Sequence, residues 1–181
     1  MPMPRFIESD LTFDFPASWR VRAFDDHHFY QAVSGQGLKA VDFLVLHPDG
    51  QLWLMEVKNY QARQNSEGVP YPLSLPEPQL LAEQLHQKLK DSRRILRIID
   101  RYYHRKWYYR WRLKWANWWP FPKRDSDLLF WTEAASRLAQ AQDLPILSLQ
   151  LEEEDLYFRR SIREALLSSG KAWEVVEELV F

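Results

Sequence analysis

The stretch "AVDFLVLHPDGQLWLMEVKNY", residues 40–60, constrains the fold more than any other part of the chain. Two apolar runs, 40–46 and 51–60, flank "HPDG", and both read as strands because they are short, largely apolar and separated by turn residues. Pro48 suits the first central position of a type I turn, Asp49 the second, and Gly50 the left-handed position that follows. In that three-residue loop His47 faces Gln51, Leu46 faces Leu52, Leu44 faces Leu54 and Asp42 faces Glu56. A two-residue loop would instead throw the two acids onto opposite faces. One face of the hairpin carries Leu44, Leu46, Leu52 and Leu54; the other carries Val41, Phe43, Val45, Trp53, Met55 and Val57. A sheet apolar on both faces needs covering on both.

Around this hairpin the pattern alternates. Residues 1–40 mix short apolar stretches with turn signals, and "DDHHFYQAVSG" suits a short helix capped by Asp25 or Asp26 and ended at Gly35. After a proline-rich loop there is neither Gly nor Pro from Gln79 to Trp119. Leu85, Leu89, Leu96, Ile99, Tyr103 and Trp107 recur there at helical spacing, with a break expected near 100–106. "DLLFW" (127–131) and "LPILSLQL" (144–151) read as strands, with a helix over "TEAASRLAQAQ" between them. Segments 155–168 and 171–180 read as helical. The expectation is one α/β domain over 1–181: a mixed central sheet flanked by helices, a core hairpin at 40–60, and a basic, aromatic helical insertion at about 100–124.

With no cysteine, disulfides and thiolate metal sites are excluded. No charged-then-apolar leader opens the sequence and no apolar run is long enough to span a bilayer, so a cytoplasmic protein is expected. The net charge of −1 hides a segregation: residues 82–124 hold thirteen Lys or Arg against three Asp or Glu, and the remainder eleven against twenty-two. Such a segment suits a polyanion, although a charge run is also what a solvated face looks like.

Directly opposed strand residues lie about 5 Å apart at Cβ, where like charges destabilise a sheet. Asp42 and Glu56 therefore call for a cation, which Lys58 on the same face or a bound Mg²⁺ would supply. The plain alternative is a strand end emerging into water with a local ion pair. An Asp ending one hairpin strand, then Glu56-Val57-Lys58 near the end of the next, resembles the PD-(D/E)XK nuclease superfamily, its restriction-endonuclease-like and nuclease-related branches above all. The resemblance covers residues 37–60 well and 79–100 more loosely. It implies a restriction-endonuclease-like core and a Mg²⁺- or Mn²⁺-dependent endonuclease or exonuclease acting on DNA. It also implies Asp42 and Glu56 as metal ligands, the Val57 backbone as a third contact, and Lys58 assisting the attacking water. The further acid that many members use would be Asp25 or Asp26, and Gln84 the polar helix residue beside the site. A degenerate site that binds nucleic acid without cutting fits the same residues.

Arg94, Arg97, Arg101, Arg105, Arg112 and Lys114 are the candidate nucleic-acid contacts. With Lys90 the arginines form a basic stripe on the order of 33 Å long at helical rise. The aromatics at 103, 107, 111, 115 and 118 share another face, read as core or as an interface with a second copy or a partner subunit. A membrane-peripheral or protein-interaction helix is the rival reading. His27 and His28 read as surface residues.

Overall fold

A computed structural model describes residues 5–25, 27–64, 68–109, 111, 127–168, 170 and 173–177. The elements run β1 (Arg5–Glu8), β2 (Leu11–Asp14), β3 (Arg20–Ala23), α1 (His28–Ser34), β4 (Phe43–Leu46), β5 (Leu52–Asn59), β6 (Arg63–Gln64), β7 (Pro70–Tyr71), α2 (Pro78–Arg105), α3 (Asp127–Ala139), β8 (Asp143–Gln150), α4 (Leu156–Ser168) and β9 (Glu174–Val176). The fold is mixed α/β. Its central sheet has five strands in the order β3-β4-β5-β8-β9. β4 is antiparallel to β3 and β5, whereas β5–β8 and β8–β9 are parallel. Parallel neighbours need crossovers; α2 and α3 fill the first and α4 the second.

The hairpin forms in the register its turn chemistry predicts: Leu46 pairs with Leu52, Leu44 with Leu54 and Phe43 with Met55. The His47 amide donates to the Gln51 carbonyl at 3.0 Å, the Gly50 amide donates to the His47 carbonyl at 3.1 Å, and Gly50 has φ +96°. An added Cβ at Gly50 would meet nothing within 4 Å, so a substitution there is penalised by backbone conformation alone. Gly50→Ala is expected to lower stability by about 1–2 kcal/mol, the cost of a left-handed L-residue. A urea melt with unchanged slope and a lower midpoint is the check.

Both faces of the sheet are covered, but differently. Leu44, Leu46, Leu52, Leu54, Leu147 and Leu149 pack in one cluster with the buried faces of α2, α3 and α4. On the other side, Phe43, Val45, Met55, Val57 and Ile146 pack against Phe13 and Phe15, with Phe6 partly buried beside them. Among the described residues a β-hairpin covers that face, where helices on both sides were expected. Val41 also departs from expectation. Its amide donates to Ser92 Oγ at 2.9 Å, β4 begins only at Phe43, and Val41 packs on the helical side.

Three further expectations change. Residues 127–139 form one helix, because Leu128, Trp131, Ala134, Ala135 and Leu138 continue a helical stripe through what looked like a strand. Residues 174–176 extend as β9 at the sheet edge with Val175 buried, where a helix was expected. Residues 100–105 continue α2 with Tyr103 buried, and most of the rest of the expected insertion, 110 and 112–124, lies outside the described residues. The expected break follows at Lys106, whose backbone is extended. No helix among the described residues is long and apolar enough to cross a membrane.

Candidate functional site

The site forms where β4 begins and β5 approaches its end. The Asp42 carbonyl accepts from the Phe24 amide at 2.7 Å, which fixes the backbone against the end of β3. Its carboxylate turns across the hairpin, and Oδ2 accepts from the Val57 amide at 2.7 Å. Glu56 and Lys58 follow on the strand's helical side. Asp42 is 6% exposed and Glu56 fully buried, so neither charge can stand without a partner.

Two ammonium groups answer that need. Lys58 Nζ and Lys88 Nζ each donate to Glu56 Oε1 at 2.6 Å, and Lys88 Nζ also lies 3.5 Å from Asp42 Oδ1. Glu56 Oε2 is buried with no hydrogen-bond partner among the described residues. Burial and then the neighbouring Asp42 charge push the Glu56 carboxyl above its ordinary value, against the pull of both lysines. Burial draws the Lys88 ammonium down, but Glu56 and Asp42 outweigh it and hold the group above its ordinary value.

A second carboxylate grouping adjoins Asp42. Oxygens of Glu8, Asp25 and Asp42 lie within 4.8 Å of one another, and Glu56 is outside that group. Asp25 arrives because it follows Phe24, whose amide bonds the Asp42 carbonyl just beyond the end of β3. Glu8 arrives on the tip of the β1–β2 hairpin, where Ser9 (φ +52°) and Asp10 (φ +64°) make a tight left-handed turn. Three contacts hold this tip: Ser9 Oγ donates to Glu8 Oε1 at 3.0 Å, Asn59 Nδ2 donates to the Ser9 carbonyl at 3.0 Å, and Arg63 pairs with Asp10 at 3.0 Å.

The structure thus brings together Asp42, Glu56, the Val57 amide and Lys58. Gln84 is exposed on α2; the helical residue that reaches the carboxylates is Lys88, one turn later. Asp26, Arg112 and Lys114 lie outside the described residues, and Asp25 stands beside Asp42. Lys88 and Glu8 were missed by reading the sequence. A signal for Lys88 was present, since it falls beside Leu81, Leu85 and Ser92 on the buried stripe of α2. For Glu8 there was none, because its approach depends on how a remote hairpin folds over the sheet.

Arg94, Arg97, Arg101 and Arg105 are exposed along α2, and Lys90 to Arg105 spans about 22 Å at helical rise. The aromatics divide: Tyr103 is 5% exposed within the core, whereas Trp107 is 77% and Trp111 54% exposed. His27 is not a surface residue. Its side chain is 10% exposed, its ring lies 4.2 Å from that of His28 and 4.5 Å from Trp131, and burial lowers its pKa. It also supplies the α1 cap expected of an Asp, with the Phe29 amide donating to its Nδ1 at 3.4 Å.

Comparison of the chain with protein-family models, with curated proteins and with solved structures gave no match to any of them.

Proposed function

We propose that the protein is a divalent-metal-dependent nuclease that hydrolyses DNA phosphodiesters at Asp42, Glu56 and Lys58. The observation that carries this reading is the Asp42 carboxylate bonded across the hairpin to the Val57 amide, with Glu56 and Lys58 on either side of that residue. A mixed sheet whose central hairpin leads into α2 and returns as parallel β8 supports a restriction-endonuclease-like core.

The donor set suits a hard cation. Asp42 and Glu56 would hold Mg²⁺ or Mn²⁺, with Glu8 and Asp25 adding carboxylate oxygens beside Asp42 and the Val57 carbonyl as a further contact. The partnerless Glu56 Oε2 is the acceptor that such an ion would satisfy. Bound there, the ion would lower the pKa of a coordinated water and withdraw charge from the phosphate. Glu56 anchors the Lys58 ammonium by its bond to Nζ. Lys58, with its side chain 29% exposed, then presents that charge toward solvent, where a phosphate oxygen or an attacking water would meet it. Arg94, Arg97, Arg101 and Arg105 supply a basic face for the backbone of the polymer.

Purified protein is expected to nick or cut DNA with Mg²⁺ or Mn²⁺ and to lose this with EDTA. Asp42→Ala and Lys58→Ala are each expected to reduce the rate on the order of a hundredfold or more while keeping a cooperative melt. Activity surviving in both variants would sink the assignment. One observation favours a second reading, a nucleic-acid-binding protein that does not cut: Glu56 is occupied by two lysines and stands outside the acidic group. That reading predicts salt-dependent DNA binding, weakened in an Arg97→Ala/Arg101→Ala variant, with no turnover under either metal.

A further inference from the structure

We propose that Lys88 is the site's own resident cation, held between Asp42 and Glu56, so that binding of a divalent ion by these carboxylates would exchange this ammonium for the metal. The inference rests on the reading that these carboxylates take a metal, and it concerns what the metal must displace. Lys88 Nζ lies 2.6 Å from Glu56 Oε1 and 3.5 Å from Asp42 Oδ1, and is the ammonium that touches both carboxylates. Among the described residues Lys58 pairs with Glu56 alone. Both lysines bond Glu56 Oε1, and this pairing lets the Glu56 carboxylate be fully buried.

The side chain is built to leave. Its Cα sits on α2 between the buried Leu85 and Leu89, but the Lys88 side chain is 25% exposed, and its flexible stem can carry the ammonium outward into water. Glu56 has no such freedom, being fixed within β5 between strands on both sides. The exchange therefore moves the lysine and leaves the carboxylates where they are. It also ranks the ions: a monovalent cation replaces one positive charge with one and gains nothing, whereas a divalent ion adds a charge to the same carboxylates.

Two measurements on the intact protein decide this. Calorimetric titration with MnCl₂ and CaCl₂ is expected to show Lys88→Met binding the ion roughly tenfold more tightly than the wild type, equivalent to about 1.4 kcal/mol. Lysine acetylation read by mass spectrometry on the wild type is expected to show Lys88 becoming severalfold more reactive when the ion is added, with Lys90 on the same helix unchanged. Binding by the variant where the wild type binds none supports the exchange as well. Equal or weaker binding by Lys88→Met, or unchanged Lys88 reactivity while the wild type binds the ion, overturns the exchange and leaves the metal reading intact. No binding by either protein removes both. Should Lys88→Met fail to fold, the acetylation result on the wild type decides alone.

Discussion

Replacing Lys58 and Lys88 together by Met is expected to destabilise the protein by about 3–5 kcal/mol at pH 7, because the buried Glu56 carboxylate then loses both of its hydrogen-bonded cations. The effect carries a pH signature. Glu56 already lies above its ordinary value, through burial first and Asp42 second, with both lysines pulling the other way. Their removal lifts it further. A carboxyl raised by folding stabilises the native state fully below its unfolded value, about 4.3, and that contribution is lost as pH rises through the folded value. Urea melts from pH 4 to pH 8 should therefore show the variant close to the wild type in acid and falling away from it as pH rises. Adding Glu56→Gln to the double variant should recover most of the loss at pH 7. A deficit independent of pH would mean that the lysines matter for packing and not for charge.

Phe43→Ala is the second large effect expected, about 3–5 kcal/mol as for other buried aromatic truncations. Phe43 is 2% exposed, and its ring lies 5.4 Å from Phe6, 5.7 Å from Phe13 and 5.9 Å from Phe15. Those three rings fasten the β1–β2 hairpin to the sheet, and that hairpin carries Glu8. The loss should be uneven. Hydrogen exchange should accelerate in β1 and β2 well before α2, and Phe43→Leu, which keeps most of the volume, should cost under about 1.5 kcal/mol. Uniform acceleration throughout the chain would show that the hairpin does not open separately from the core.

What could be read from residue order follows the range of the interaction responsible. The 40–60 hairpin was readable because Pro48, Asp49 and Gly50 set its register through turn geometry alone, and that register carries Asp42 to Glu56. The segment 127–131 misled because its four apolar residues, 128–131, suit a strand or a buried helix equally. Only the continuation through Ala134, Ala135 and Leu138 separates the two. β9 was missed because "WEVV" owes its extension to a place beside β8, a neighbour that local propensity does not contain. Lys88 and Glu8 reach Asp42 from elements whose docking is set by clusters of Leu and Phe gathered from across the chain.

The pairing of Leu52 with Asp143 joins positions 91 apart, and the chain between them runs out of the sheet as α2 and returns as α3. Closing so long a loop has an entropy cost that depends only weakly on its length: doubling it adds about 0.6 kcal/mol. A connection this long can therefore gain or lose residues cheaply in descendants of this sequence. Asp42, Glu56 and Lys58, by contrast, lie within seventeen positions of one another on a single hairpin, where one inserted residue would turn every following side chain to the opposite face. Evolution of this long connection and evolution of the charge cluster therefore run under different rules, the first free to change in length and the second restricted to exchanging one residue for another.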